Sequence, residues 1–147
     1  MIETREQVLR AVLDANVYIS AVIRPQGPPG QIVELFLREA AFEVVLSPRI
    51  VEEVLRAFSY PKLRKYLPRT FKAEQWFGDI ALLAQLVAGE YDVAGICDDP
   101  DDDKYIAAAL EGRAGFIVAG DSDLLKIKRY QDVRIVNPRT FLNLLRQ

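Results

Sequence analysis

The chain of 147 residues has no histidine and a single cysteine, Cys97. These shortages exclude an internal disulfide and any multi-cysteine zinc site, and they leave oxygen as the ligand atom for a bound metal. Oxygen donors select hard cations such as magnesium or manganese over zinc or copper. Long apolar runs are missing as well. The longest, Ile80 to Ala88, is interrupted by Gln85 and falls far short of the ~20 residues a membrane span needs. The first fifteen residues mix Glu3, Arg5, Glu6 and Arg10 with apolar ones, which is no signal-peptide pattern. A soluble protein without a membrane partner is expected, and the lone thiol, beside Gly95 and Ile96, fits a buried strand end in a reducing cytoplasm.

Half of the residues are hydrophobic, enough at this length for one domain, residues 1–147, around a single core. The formal net charge of −2 argues against non-specific coating of nucleic acid, yet the charges are segregated. Val54 to Ala73 carries six basic residues and no acid, whereas Gly89 to Asp103 carries seven acids and no base.

Strand-length apolar runs occur at Val8 to Leu13, Phe42 to Leu46, Tyr91 to Ile96, Phe116 to Ala119 and Val133 to Val136. Helical periodicity intervenes. Ile32, Leu35 and Phe36 form one stripe; Ile50, Val51, Val54, Leu55 and Phe58 form another; Trp76, Ile80, Leu83 and Val87 form a third, closed by Gly89. Ser47-Pro48, Asp99-Pro100 and Asn137-Pro138 each pair a capping residue with proline at the first helical position. Arg24 to Gly30, rich in proline and glycine, reads as a surface loop. The alternation predicts an α/β fold: a three-layer α/β/α domain with a mostly parallel sheet of about five strands.

Asp98 to Asp103 holds five aspartates in six positions. Like charges 4 Å apart repel by roughly 4 kcal/mol at an effective dielectric of ~20, so a plain loop has no reason to collect them and a cation does. Asp99 and Asp101 are accounted for as a helix cap and a first-turn acid, but Asp102 and Asp103 exceed that need. Ligands of parallel sheets sit beyond the carboxyl ends of the strands. Asp14 ends the first apolar run, while Asp121 and Asp123 follow the run ending at Ala119. Glu52 and Glu53 flank the second helical stripe about equally, and periodicity does not choose between them. Several carboxylates holding such ions suit metal-assisted phosphodiester hydrolysis.

The order of these motifs resembles the PIN-domain ribonucleases, within them the VapC-like branch of toxin components from toxin–antitoxin systems. Leu13-Asp14-Ala15-Asn16-Val17 is similar to the opening motif, and Ser47 to Leu55 to the second, in which the acid before the Val-Leu pair is functional, here Glu53. Asp99 to Ala107 is similar to the third, whose last aspartate stands three before the aliphatic residue, here Asp103. Ile117 to Leu125 is similar to the fourth, with Asp121 as its main acid. The resemblance implies a PIN-like fold and an Mg2+- or Mn2+-dependent endoribonuclease. Its catalytic metal ligands would be Asp14, Glu53, Asp103 and Asp121, with Asp102 and Asp123 as further ligands and Asn16 and Ser47 as orienting donors. The chain departs from the pattern at Ala119, where a serine or threonine is usual, and at Asp98, where the branch often has arginine.

The expected partners are RNA, single-stranded or structured, a cognate antitoxin, and a second copy in a homodimer or higher oligomer. Arg56, Lys62, Arg64, Lys65 and Arg69 form the candidate RNA-binding strip, with Phe58, Tyr60 and Tyr66 available to stack on unpaired bases. A non-catalytic PIN-like binding module is the alternative. A haloacid-dehalogenase-like phosphatase ranks lower, because Asn16 stands where that chemistry needs a second aspartate. A receiver domain would want a lysine after the last strand, where Asn137-Pro138 follows.

Overall fold

The computed structural model describes residues 8–147; Glu3, Arg5 and Glu6 at the chain's start lie outside the described residues. The first half runs β1 (Arg10–Leu13), α1 (Ala15–Ile23), α2 (Pro28–Glu39), β2 (Glu43–Leu46), α3 (Pro48–Phe58), a 3-10 segment (Pro61–Tyr66) and α4 (Ala73–Leu83). The second runs β3 (Gln85–Leu86), a 3-10 turn (Pro100–Asp102), α5 (Asp103–Glu111), β4 (Phe116–Val118), α6 (Ser122–Leu125), β5 (Arg129–Tyr130), β6 (Val133–Val136) and α7 (Pro138–Leu145).

The six strands among the described residues lie in the order β3-β2-β1-β4-β6-β5, all parallel except β5 against β6. Strands covered on both faces read as unbroken apolar runs, and Ala11, Val12 and Leu13 of the central β1 are fully buried. The chain moves outward from β1 to β2 to β3, then jumps back over both to β4. Right-handed crossovers in opposite directions put α1 to α4 on one face and α5 on the other, where α5 lies against β1, β2 and β4. That approach is close: a Cβ on Gly112, just past α5, would stand 2.5 Å from a Val45 methyl. On the opposite face Phe42 meets Phe141 at 5.0 Å between ring centroids, with Phe36 and Phe116 beside them.

The reversal between β1 and β4 is a topological switch point, where a crevice opens beyond the strand ends. Polar caps start the helices on that edge. Asp14 accepts the Val17 N–H, Ser47 that of Ile50, Asp121 that of Asp123 and Asn137 that of Thr140.

Several expectations need correction. Tyr91 to Ile96 is not a strand, and α4 ends at Leu83 so that Gln85 and Leu86 can pair with β2. Gly89 and Gly95 take positive φ, 81° and 76°, conformations that break an extended run. Side chains of α5 hold the backbone at both ends of this segment: Glu111 accepts from Gly89, Glu90 and Tyr91, and Asp103 accepts from Gly95 and Cys97. Cys97 is therefore buried in a loop rather than at a strand end; burial, then the neighbouring Asp103 carboxylate, pushes its thiol up to about 12. The Arg24 to Gly30 loop is shorter than expected, since α2 already starts at Pro28. The sixth strand, β5, is a two-residue antiparallel edge too short to show periodicity. No helix among the described residues is long and apolar enough to cross a membrane.

Candidate active site at the carboxyl edge of the sheet

A cleft of about 290 Å3 opens at the switch point, and four acids from separate elements line it: Asp14, Glu53, Asp102 and Asp121. Asp14 is 3% exposed, its Oδ1 3.0 Å from the Val17 nitrogen. Burial raises its carboxyl to about 6 against the pull of backbone N–H groups of Val17 and Gly120, with the Asp121 and Glu53 charges adding to the rise. Asn16, one turn into the same cap, also lines the cleft.

Glu53 and Glu52 are separated by their surroundings. Glu52 points to solvent and reaches Arg56 at 4.0 Å, whereas Glu53 is half-buried in the cleft. One oxygen of Glu53, Oε1, accepts both the Tyr105 hydroxyl and the Lys104 ammonium, the latter at 3.0 Å. The Tyr105 oxygen in turn accepts the Ala15 N–H at 3.1 Å, tying Glu53 to the start of α1. Lys104 is buried and also reaches Asp101 at 2.9 Å, which holds the Asp101 carboxyl below its ordinary range.

Asp102 faces Asp121. Burial first, then the hydrogen bond shared with the Asp121 carboxyl and that neighbour's charge, push Asp102 up to about 7. Its Oδ2 is buried and meets no hydrogen-bond donor among the described residues. Such an atom normally costs 1–3 kcal/mol or more, and a cation is one way to satisfy it.

Asp103 does not join this cleft. Its two oxygens are taken by the Cys97 and Gly95 N–H groups at 2.8 and 3.1 Å, and it faces a separate cavity of about 340 Å3. The reason is helical geometry: Asp102 and Tyr105 stand three apart and share the rim-facing side, while the next residue turns toward the loop. Ser47 lines that separate cavity too, its hydroxyl capping α3 at 3.4 Å from the Ile50 nitrogen rather than touching an acid. Asp123 gives its backbone N–H to Asp121, and its side chain is not among those lining the acidic cleft. Asp98 pairs with Lys126 on the surface. The residues missed from sequence are Lys104 and Tyr105; their nearness to Asp102 on one helical turn was the available signal.

The basic strip is split by the fold. Lys62 and Tyr60 line the acidic cleft, Lys65 lies 5.1 Å over the Tyr66 ring, and Arg64 and Arg69 flank a different groove. Arg56 faces Glu52. Phe58 is unavailable for stacking on bases, because it is buried against Phe71 and Trp76.

Only oxygen ligands meet in the cleft, and the unpartnered Asp102 oxygen among carboxylates fits a hard divalent cation in kind. Among the described residues no three acids stand close enough for a ready-made ligand cluster. Carboxylates from opposite walls would have to close on the ion.

The PIN domain family profile matches residues 10–123. A protein of Methanocaldococcus jannaschii named as the uncharacterized protein MJ1680 is 35% identical over 123 residues, which cover 82% of this chain and 76% of that protein. In the crystal structure of VapBC2 from Rickettsia felis bound to a DNA fragment from their promoter, one chain aligns with a TM-score of 0.53 at 13% identity. The alignment covers 88% of this chain and 98% of that one, and it concerns the fold. The chain belongs to the PIN domain family.

Proposed function

We propose that the chain is a magnesium- or manganese-dependent endoribonuclease and the toxin component of a toxin–antitoxin pair. The observation that carries the nuclease reading is the meeting of Asp14, Glu53, Asp102 and Asp121 in one cleft whose outer wall carries Lys62 and Tyr60. The pairing with an antitoxin rests on the likeness of fold to a chain of VapBC2.

Asp14, Glu53, Asp102 and Asp121 would hold the metal. When bound, the metal supplies Lewis-acid polarisation of the scissile phosphate and stabilisation of the leaving oxygen. Asp102 replaces Asp103 in this assignment because Asp103 spends both oxygens on the loop. Tyr105 and Lys104 both bind Glu53 through the one oxygen Oε1 and leave the other free of these two bonds. Lys62 neutralises the entering phosphate, and Asn16 offers a donor beside Asp14.

Cleavage of a single-stranded RNA by the purified protein, with manganese, magnesium or EDTA, tests this reading. Activity with either metal, none in EDTA, and loss of at least a hundredfold in Asp14→Asn and Asp102→Asn is the expected result. Equal activity in those variants overturns the assignment of the acids, and RNA bound but not cleaved with either metal overturns the nuclease reading in favour of a binding module.

A further inference from the structure

The acidic cleft does not end at the acids. One flank of α1 carries Asn16 and Ile19 inside it, and the next residues on that flank, Ser20 and Ile23, line a second groove of about 670 Å3. On the opposite wall the 3-10 segment does the same, with Lys62 in the cleft, Tyr66 in the groove and Leu63 in both. Positions 16, 19, 20 and 23 follow the i, i+3, i+4, i+7 pattern of a single helix face. The cleft and the groove are thus successive stretches of one channel between α1 and the 3-10 segment, and seven residues of helix span about 10 Å.

The far end of the channel has a chemistry unlike the near end. Pro28, Pro29 and Ile23 give it flat apolar walls, Tyr66 is 55% exposed at its side, and Ser20 adds a hydroxyl. Arg24 stands there without an ion-pair partner among the described residues. No acid among the described residues lines the groove. An apolar, ring-accepting space with one cation, opening from a cleft suited to phosphodiester chemistry, matches a nucleotide: base against tyrosine and proline, phosphate toward arginine.

We propose that this groove seats an unpaired base of the substrate strand one or two nucleotides from the scissile phosphate. The occupant is single-stranded RNA, and the proposal rests on the ribonuclease reading above. Base–aromatic stacking tolerates every base, so the groove selects for an unpaired strand rather than for a sequence. Tyr66 and Arg24 act in binding and lie outside the acidic cleft.

The test is anisotropy of a short labelled single-stranded RNA in EDTA, repeated with the same RNA made abasic at one position at a time. For the wild type, removing one base near the cleavage position weakens binding about tenfold. Tyr66→Ala weakens binding of the intact RNA by a similar factor and makes that abasic position silent, while Tyr66→Phe behaves as wild type. Arg24→Gln weakens all the RNAs equally and lowers the salt dependence. Wild-type affinity in Tyr66→Ala, or an equal abasic penalty with and without the ring, overturns the proposal while manganese-dependent cleavage by the wild type leaves the nuclease reading standing. If the wild type neither binds nor cleaves RNA, both fall. Loss of self-association in Tyr66→Ala with RNA affinity intact assigns the groove to a second copy and overturns the proposal.

Discussion

Asp102 and Asp103 are neighbours in sequence and serve opposite ends of the molecule's needs. Asp103 satisfies two loop N–H groups from a buried position, and Asp102 carries an oxygen with no partner. Asp103→Ala is expected to cost about 1–3 kcal/mol, because the buried Cys97 N–H and the part-buried Gly95 N–H lose their acceptor; a thermal melt reads this directly. Asp102→Asn is expected to keep or raise the melting temperature in EDTA, since it removes a carboxylate facing another, and to abolish manganese-dependent cleavage. Identical melting and activity losses in the two variants would contradict the division. Lys104→Met leaves Glu53 and Asp101 without their shared cation. A loss of about 1–3 kcal/mol is expected, since the carboxylates left behind keep access to water, with a larger manganese-induced rise in melting temperature than in the wild type. These assignments mark the limit of what the string of aspartates could reveal. Five acids in six positions announce charge density, but a change of one position rotates a side chain by about 100°, and only the packed α5 decides which one meets Asp121.

At the scale of elements, α5 is the part with least freedom. It lies on the sheet through alanines, and Gly112 at its end has no room for a methyl beside Val45. Gly112→Ala is expected to destabilise by about 1–3 kcal/mol through overpacking. Gly78, inside α4 with open space around it, is the contrasting case. Gly78→Ala should stabilise by about 0.5–1 kcal/mol by restricting the unfolded chain, and denaturant titration of both variants checks the pair. The helices starting at Ser47, Asp99 and Asn137 were legible because cap and proline act locally. The segment after α4 was not. Tyr91 to Ile96 has strand-like composition, yet its backbone is held by Glu111 and Asp103 from α5, partners more than six residues away that no local pattern encodes. β3 was hidden for a related reason: two residues of pairing carry no periodicity, and Leu86 is exposed.

For the whole molecule, the acidic cleft is a source of instability that depends on pH. Asp14 and Asp102 have carboxyls raised in the folded protein, from 3.8 to about 6 and about 7. In the unfolded chain they ionise near their ordinary value, so between pH 4 and 7 the native state binds more protons than the unfolded one. Stability therefore falls as pH rises through that window and stays low above it. The Asp14 shift alone corresponds to about 3 kcal/mol. The melting temperature in EDTA should drop from pH 5 to pH 8, Asp14→Asn should flatten the drop while keeping its helix cap, and manganese at pH 8 should restore much of the loss. A flat profile, or no response to millimolar manganese, would mean that the acids do not act as one site.

The sequence by itself determined most of the alternation of strands and helices, the caps that begin several of them, the lack of histidine that leaves oxygen donors in the cleft, and the strand-end location of Asp14 and Asp121. Each of these depends on residues a few positions apart or on composition alone. The tertiary structure decided which of Glu52 and Glu53 turns inward, that Asp102 rather than Asp103 faces the cleft, that Phe58 belongs to the core, and that Lys104 and Tyr105 hold Glu53. It also joined the cleft to the groove beside Tyr66. Those outcomes depend on the rotation of helices against the sheet and on contacts between distant segments, which residue order specifies only through the packing of the whole chain.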